Sequence, residues 1–234
     1  MPRIFCAIDT QDISRAEKLC EIIAATKAGV KLGLEFFNTH GPQGVTKIRD
    51  AFPDLPFFLD LKLHDIPNTV AKSVRALAKL QPDYLNVHAG GGYEMMKAAA
   101  EAANDEAEKL GLRPAKVIAV TVLTSFDEEG LKLVGQDTPI EKQVLRLAKL
   151  AKEAGMAGVV CSSHEIRTLR EEIGCQFVLI TPGIRPEGAA ANDQKRMMTP
   201  KEAVDLGATH LVIGRPITEA PDPAAAIEEI YQGL

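Results

Sequence analysis

Phe57-Phe58-Leu59-Asp60-Leu61-Lys62-Leu63-His64-Asp65 reads as a buried strand, Phe57 to Lys62, that runs out into charge. Strands of an all-parallel sheet are buried on both faces and read as apolar runs, so an ionisable group inside one is costly unless paired or used. Side chains alternate along a strand. Asp60 and Lys62 therefore share one face, and Leu59, Leu61 and Leu63 share the other. The leucines suit an outer wall beneath helices. That leaves a carboxylate and an ammonium facing the axis of a barrel at the C-terminal end of a strand, where active sites of that fold lie. Taken alone, the string is equally compatible with a solvated edge strand carrying an incidental Asp-x-Lys pair.

The rest of the chain supplies the barrel. Further strand-like runs are Arg3 to Asp9, Gly29 to Gly33, Tyr84 to His88, Lys116 to Val122, Gly158 to Cys161, Phe177 to Thr181 and Leu211 to Gly214. Amphipathic stretches such as Ser14 to Thr26, Asn68 to Leu80, Glu94 to Leu110, Ile140 to Glu153 and His164 to Ile173 lie between them. Several stop at glycine, as at Leu110-Gly111, Ala154-Gly155 and Leu206-Gly207. Eight strands, each followed by helix or loop, predict an α/β fold: a (β/α)8 TIM barrel, one domain over residues 1–234. An open doubly wound sheet would normally carry a glycine-rich loop after its first strand. Here that strand ends Ile8-Asp9-Thr10-Gln11-Asp12, without glycine.

The first three strands all end in ionisable groups of alternating sign: Asp9, then Lys31 in Gly29-Val30-Lys31-Leu32-Gly33, then Asp60 with Lys62. Such a set predicts a charge-balanced site. Loops after the seventh and eighth strands of this barrel class often hold a phosphate. They read Pro182-Gly183-Ile184-Arg185-Pro186 and Ile213-Gly214-Arg215-Pro216. Glycine lets backbone amides approach an anion, arginine offers a planar fork, and a short helix starting at Arg215 adds a favourable dipole. The irregular stretch Gly183 to Met198 is placed to act as a lid over the barrel mouth.

Other residues keep two readings. His88 lines the site or is a hydrogen-bonded rim residue. Thr121 and Thr124 bond a ligand's polar edge or are plain strand and turn residues. Asp65 and Asn68 belong to the site or cap the following helix, with Pro67 near its start. The histidines at 40, 64, 88, 164 and 210 lack metal-ligand spacing, and no Gly-x-Ser-x-Gly elbow occurs.

Composition narrows the class. The 234 residues carry a formal net charge of -5, with 46% hydrophobic and 25% charged residues, which argues against nucleic acid as the main partner. Cys6, Cys20, Cys161 and Cys175 show no paired spacing and are expected to be four buried, reduced thiols. Met1 to Phe5 runs directly into a strand, so no signal peptide is expected. No apolar run approaches the ~20 residues of a membrane span. A cytoplasmic protein with no membrane partner is expected.

Together these segments resemble the orotidine 5'-phosphate decarboxylase family over nearly the whole chain. The most specific string is Asp60-Leu61-Lys62-Leu63-His64-Asp65-Ile66-Pro67-Asn68-Thr69, supported by the Asp9, Lys31, Val120 to Ser125, Arg185 and Arg215 segments. The resemblance implies decarboxylation of orotidine 5'-monophosphate to UMP, with no cofactor and no metal. It implies that Lys62 donates a proton to C6 of the pyrimidine, Asp60 faces the departing CO2, Lys31 links Asp60 to the ribose, and Asp9 holds ribose hydroxyls. Thr124 and Gln194 would read the pyrimidine edge. Arg215 and the Gly214 amide would grip the phosphate, assisted by Arg185. Asp65 and Thr69 would reach into the partner's site of a homodimer. Two alternatives stand beside it: a Mg-dependent sugar-phosphate decarboxylase or aldolase on the same scaffold, and a non-catalytic nucleotide-binding barrel. The former lacks a lysine at the end of the second strand; the latter would be missing a member of the charged set.

Overall fold

The computed structural model describes residues 3–186 and 198–234. Its strands are β1 (Arg3–Ile8), β2 (Gly29–Leu32), β3 (Phe57–Leu63), β4 (Tyr84–His88), β5 (Lys116–Val120), β6 (Gly158–Val160), β7 (Val178–Thr181) and β8 (His210–Ile213). All neighbours pair in parallel, and β8 returns to β1, closing the barrel in the order β1 to β8. The predicted (β/α)8 architecture is the observed one. Strand ends move by a residue or two; β5 stops at Val120, so Thr121 and Thr124 lie beyond it.

Alternation along the strands builds two cores. Outward residues such as Ile4, Cys6, Ile8, Leu59 and Leu61 pack into one large cluster that also takes the buried faces of the helices. Phe5, Ala7, Phe58, Tyr84, Ile118, Ile180 and Val212 point inward and fill the barrel. Phe5 meets Phe58 and Tyr84 edge-on, with ring centroids 5.9 and 5.8 Å apart, a favoured aromatic geometry. This plug sits at the level where Ala7 pairs with Lys31 and Lys31 with Phe58. Residues two further along the strands, Asp9 on one side and Asp60 on the other, therefore project above an apolar floor.

The helix Ile140–Glu153 matches its expected bounds, and those at Ile13–Ala24 and Gly92–Leu110 nearly so. Gly111 and Gly155 take φ of 65° and 82°, the left-handed values that stop a helix. The helix Leu34–Ala51, which the sequence reading does not single out, is broken at Gly41 (φ 62°) with Pro42 just inside. Cysteine burial is a correction: Cys6, Cys20 and Cys161 are buried and reduced, but Cys175 is exposed. It follows Gly174 at the end of the helix Ile166–Ile173, where the chain turns outward before β7. Among the described residues no helix is long and apolar enough to cross a membrane.

Candidate active site

The C-terminal mouth of the barrel holds a cavity of about 350 Å3, within the range of small-ligand sites. On its wall stand eight of the residues expected from the sequence: Asp9, Lys31, Asp60, Lys62, Thr124, Arg185, Gly214 and Arg215. The expected strand positions account for this directly, because the ends of β1, β2, β3, β7 and β8 converge there.

Asp60 is the hub. Its carboxylate is nearly buried, and Lys31 Nζ lies 3.1 Å from Oδ2. Lys62 Nζ donates to Oδ1 at 2.6 Å, and Asn86 Nδ2 donates to the same oxygen at 2.7 Å. Lys31 also lies 3.6 Å from Asp9 Oδ1, so its ammonium stands between the two carboxylates, where a cation shared by them would lie. Gly33 leaves room beside this cluster: a Cβ there would press on Lys31 Nζ at 3.1 Å and touch Asp9 Oδ1 at 3.4 Å.

Burial alone would push the Asp60 carboxyl up. The adjacent Lys31 and Lys62 charges, with the Lys62 and Asn86 hydrogen bonds, outweigh it and hold the group below the usual aspartate value. Burial likewise works against the Lys31 charge, yet Asp60 and Asp9 raise its pKa above the ordinary lysine value. Both groups are thus held charged, as an ion cluster in a partly dry site.

Lys62 reaches Asp60 by an irregular route. The simple alternation expected for β3 breaks: Leu59 pairs with Leu85 and Leu63 with Val87, so the ladder shifts between them. Within the bulge Lys62 has φ of 50°, which costs a residue with a side chain roughly 1–2 kcal/mol. Such local strain is typical of functional positions.

The opposite rim has a different character. Arg185 is only 7% exposed, and its Nε has no hydrogen-bond partner among the described residues. A guanidinium has donors only, and a buried Nε–H without a partner is costly until an acceptor is supplied. Its backbone N–H is held by Met198 O at 3.2 Å. Arg215 opens the short helix Arg215–Thr218 directly after Gly214.

A scan of protein families matches residues 2–230 to the model described as "Orotidine 5'-phosphate decarboxylase / HUMPS family". The chain belongs to that family. It is 53% identical over 223 residues to the orotidine 5'-phosphate decarboxylase of Rhodospirillum rubrum, covering 95% of this chain and 90% of that protein. To the orotidine 5'-phosphate decarboxylase of Paramagnetospirillum magneticum it is 49% identical, covering 99% and 97%. The crystal structure of orotidine 5'-phosphate decarboxylase from Lactobacillus acidophilus superposes with a TM-score of 0.87 at 38% identity, covering 99% of this chain and 98% of that one.

In this member of the decarboxylase family two of the described site residues expected from the sequence stand apart from the cavity. Asp65 and Thr69 are exposed at the start of the helix Pro67–Leu77 and do not line it. Asp65 instead accepts from the Ile66 amide at 2.6 Å. Neither Asp65 nor Asn68 caps that helix, whose N-cap is Ile66 without a side-chain bond. Gln194 lies outside the described residues, as does most of the expected lid. Thr121 takes its plain structural role, donating to Val160 O at 3.1 Å. His88 is a rim residue, stacked on His64 with centroids 5.4 Å apart.

Asn86 is the residue that sequence reasoning missed. It is fully buried on β4, with Tyr84 and His88 on the same face. An amide inside an apolar parallel strand must find partners, and that was the available signal. Cys161 also lines the cavity unannounced; burial pushes its thiol well up, so it stays neutral.

Proposed function

We infer that this chain, as one catalytic domain over residues 1–234, decarboxylates orotidine 5'-monophosphate to UMP without cofactor or metal. One observation carries the reading: a buried Lys31–Asp60 pair, joined by the half-buried Lys62, faces one side of a cavity whose other side presents Arg185 and Arg215. That arrangement suits a substrate with a reacting carboxylate at one end and a phosphate at the other.

In the step itself the bond from C6 to the carboxylate breaks, CO2 leaves, and the electron pair stays on C6. The Lys62 ammonium then gives its proton to C6 and recovers one from solvent. Asp60 faces the substrate carboxylate. At about 4 Å and an effective dielectric near 20, that repulsion is on the order of 4 kcal/mol. Enzymes commonly lower barriers by about 8–23 kcal/mol, so repulsion is too small to carry catalysis. The larger share falls to Lys62, whose charge stabilises the developing carbanion in a preorganised, water-poor site. Lys31 fixes Asp60 and, with Asp9, holds ribose hydroxyls. Thr124 and Gln194 read the pyrimidine edge. Arg185, Arg215 and the Gly214 amide take the phosphate, and binding energy there offsets the placement of one carboxylate against another.

Asp65 and Thr69 serve the site of a second copy in a cytoplasmic homodimer. Their exposure supports this, as does Ile66 between them, 65% exposed, an apolar side chain that association would cover. Mixing Lys62→Ala and Asp65→Asn subunits, each inactive alone, should restore about a quarter of wild-type activity through heterodimers with one intact site; no recovery after subunit exchange would refute shared sites.

The direct test of the activity is a spectrophotometric assay with orotidine 5'-monophosphate in excess EDTA. Pyrimidine absorbance should fall at an undiminished rate. An absent reaction, or one that needs added Mg2+, would sink this reading.

A further inference from the structure

We propose that Asn86 is a positioning residue of this site: one buried amide fixes both the Asp60 carboxylate and the left-handed backbone of Lys62, and so sets where the Lys62 ammonium points. The proposal rests on the functional reading above for what that ammonium does, but its geometry stands independently.

Both ends of the Asn86 amide are engaged. Nδ2 donates to Asp60 Oδ1 at 2.7 Å, and Oδ1 accepts from the backbone N–H of Lys62 at 2.7 Å. The orientation follows from chemistry, since the ionised Asp60 only accepts and the Lys62 amide only donates. Turning the group over would set oxygen against oxygen and N–H against N–H.

The second bond answers a gap in the sheet. Three residues of β3, from Asp60 to Lys62, stand between the pairs Leu59–Leu85 and Leu63–Val87, while β4 has only Asn86 between them. A regular ladder partner is therefore lost where Lys62 takes φ of 50°. A buried N–H without an acceptor is costly, and the Asn86 side chain supplies one. The same group thus holds the strained backbone and the carboxylate on which Lys62 Nζ rests at 2.6 Å. Asn86 does not itself line the cavity. It acts on the reaction only through Asp60 and Lys62.

Two variants test this. Asn86→Leu removes both bonds. Asn86→Asp keeps the acceptor for the Lys62 N–H but sets a second carboxylate against Asp60. For the leucine variant, kcat per folded molecule should fall about 100-fold, the scale of a small misplacement of a reacting group. Its Kd for UMP should stay within about threefold, because the phosphate rim is untouched. For the aspartate variant, the ratio of its kcat to that of wild type should rise as pH falls, because the introduced carboxyl once protonated can again donate to Asp60. If the leucine variant does not fold, the isosteric aspartate variant carries the test.

Turnover per folded molecule near wild type in both variants would overturn the proposal. So would a loss shared equally by UMP affinity and constant with pH, which is what a merely structural asparagine predicts. Should wild type fail to act on orotidine 5'-monophosphate, the functional reading falls separately. Hydrogen exchange at the Lys62 N–H then decides: protection in wild type that is lost in Asn86→Leu supports the assignment, and unchanged protection overturns it.

Discussion

The two sides of the barrel mouth treat buried charge in opposite ways. On the β1–β4 side every buried ion has a protein partner: Lys31 stands between Asp9 and Asp60, Lys62 closes on Asp60, and Asn86 takes a further bond. On the β7 side Arg185 is as buried as Asp60, yet its Nε has no partner among the described residues. A paired cluster is set in place before any ligand arrives, which is the condition for electrostatic preorganisation. A buried guanidinium with an unused donor is costly until an anion supplies the acceptor. In the proposed function one side meets the reacting end of the substrate and the other its phosphate.

The largest effect expected from breaking the binding side comes from Arg215→Ala. With orotidine 5'-monophosphate, kcat/KM should drop roughly 100- to 1,000-fold, the scale of a lost charge-assisted phosphate contact. With phosphate-free orotidine it should change little. Equal losses for both substrates, in parallel steady-state assays, would erase the distinction between the two sides.

A stability comparison sharpens it next. Lys31→Met leaves the buried Asp60 and the nearby Asp9 without their shared cation and should cost about 3 kcal/mol in urea unfolding at pH 7. Arg185→Met removes an incompletely partnered buried cation and should leave the ligand-free protein as stable as wild type or more so. Similar losses in both would contradict the contrast. The pH dependence follows from the shifts. Asp60 titrates low in the fold, so its contribution is present above its unfolded pKa and is lost as pH falls through the folded one. Lys31 titrates high, so its contribution is full below its unfolded pKa and is lost as pH rises through the folded one. The cost of Lys31→Met should therefore be largest between those limits and shrink in acid and in strong base.

A smaller effect is expected at Glu165, a buried carboxylate without, among the described residues, the cation partners that Asp60 has. Burial pushes it up to about 7, further raised by Glu141 and only partly countered by the bond from the Ser162 amide. The folded state favours its protonated form, so stability is lost as pH rises from the ordinary glutamate value toward 7. Glu165→Gln keeps an acceptor for Ser162 and should stabilise the protein on the order of 2 kcal/mol at pH 8, with no gain at pH 4. A gain independent of pH in thermal melts would contradict the assignment.

Much of this was legible in the sequence, for reasons particular to each element. The eight strands announced themselves because strands buried on both faces leave almost no polar residue, and Lys31, Asp60 and Lys62 stood out against that background. The helix Leu34–Ala51 was obscured by Gly41-Pro42 and Gly44, which interrupt helical periodicity where the chain kinks. The bulge at Lys62 left no trace, because simple alternation places Asp60 and Lys62 on one face whether the strand is regular or not. Asn86 was overlooked because an isolated amide matters only through what it faces, and that depends on the pairing of β3 with β4. In the proposed homodimer Asp65 and Thr69 act on the site of a second copy, a relation that the strand order and packing of one chain do not encode.

The most direct test of the division between the two sides is Lys62→Ala, measured for turnover of orotidine 5'-monophosphate and for UMP binding by calorimetry. Turnover should fall by at least ~10,000-fold, the upper range for a positioned proton donor, while UMP binds with near wild-type affinity because Arg185 and Arg215 are intact. Turnover preserved, or turnover and UMP affinity lost in equal measure, would contradict it.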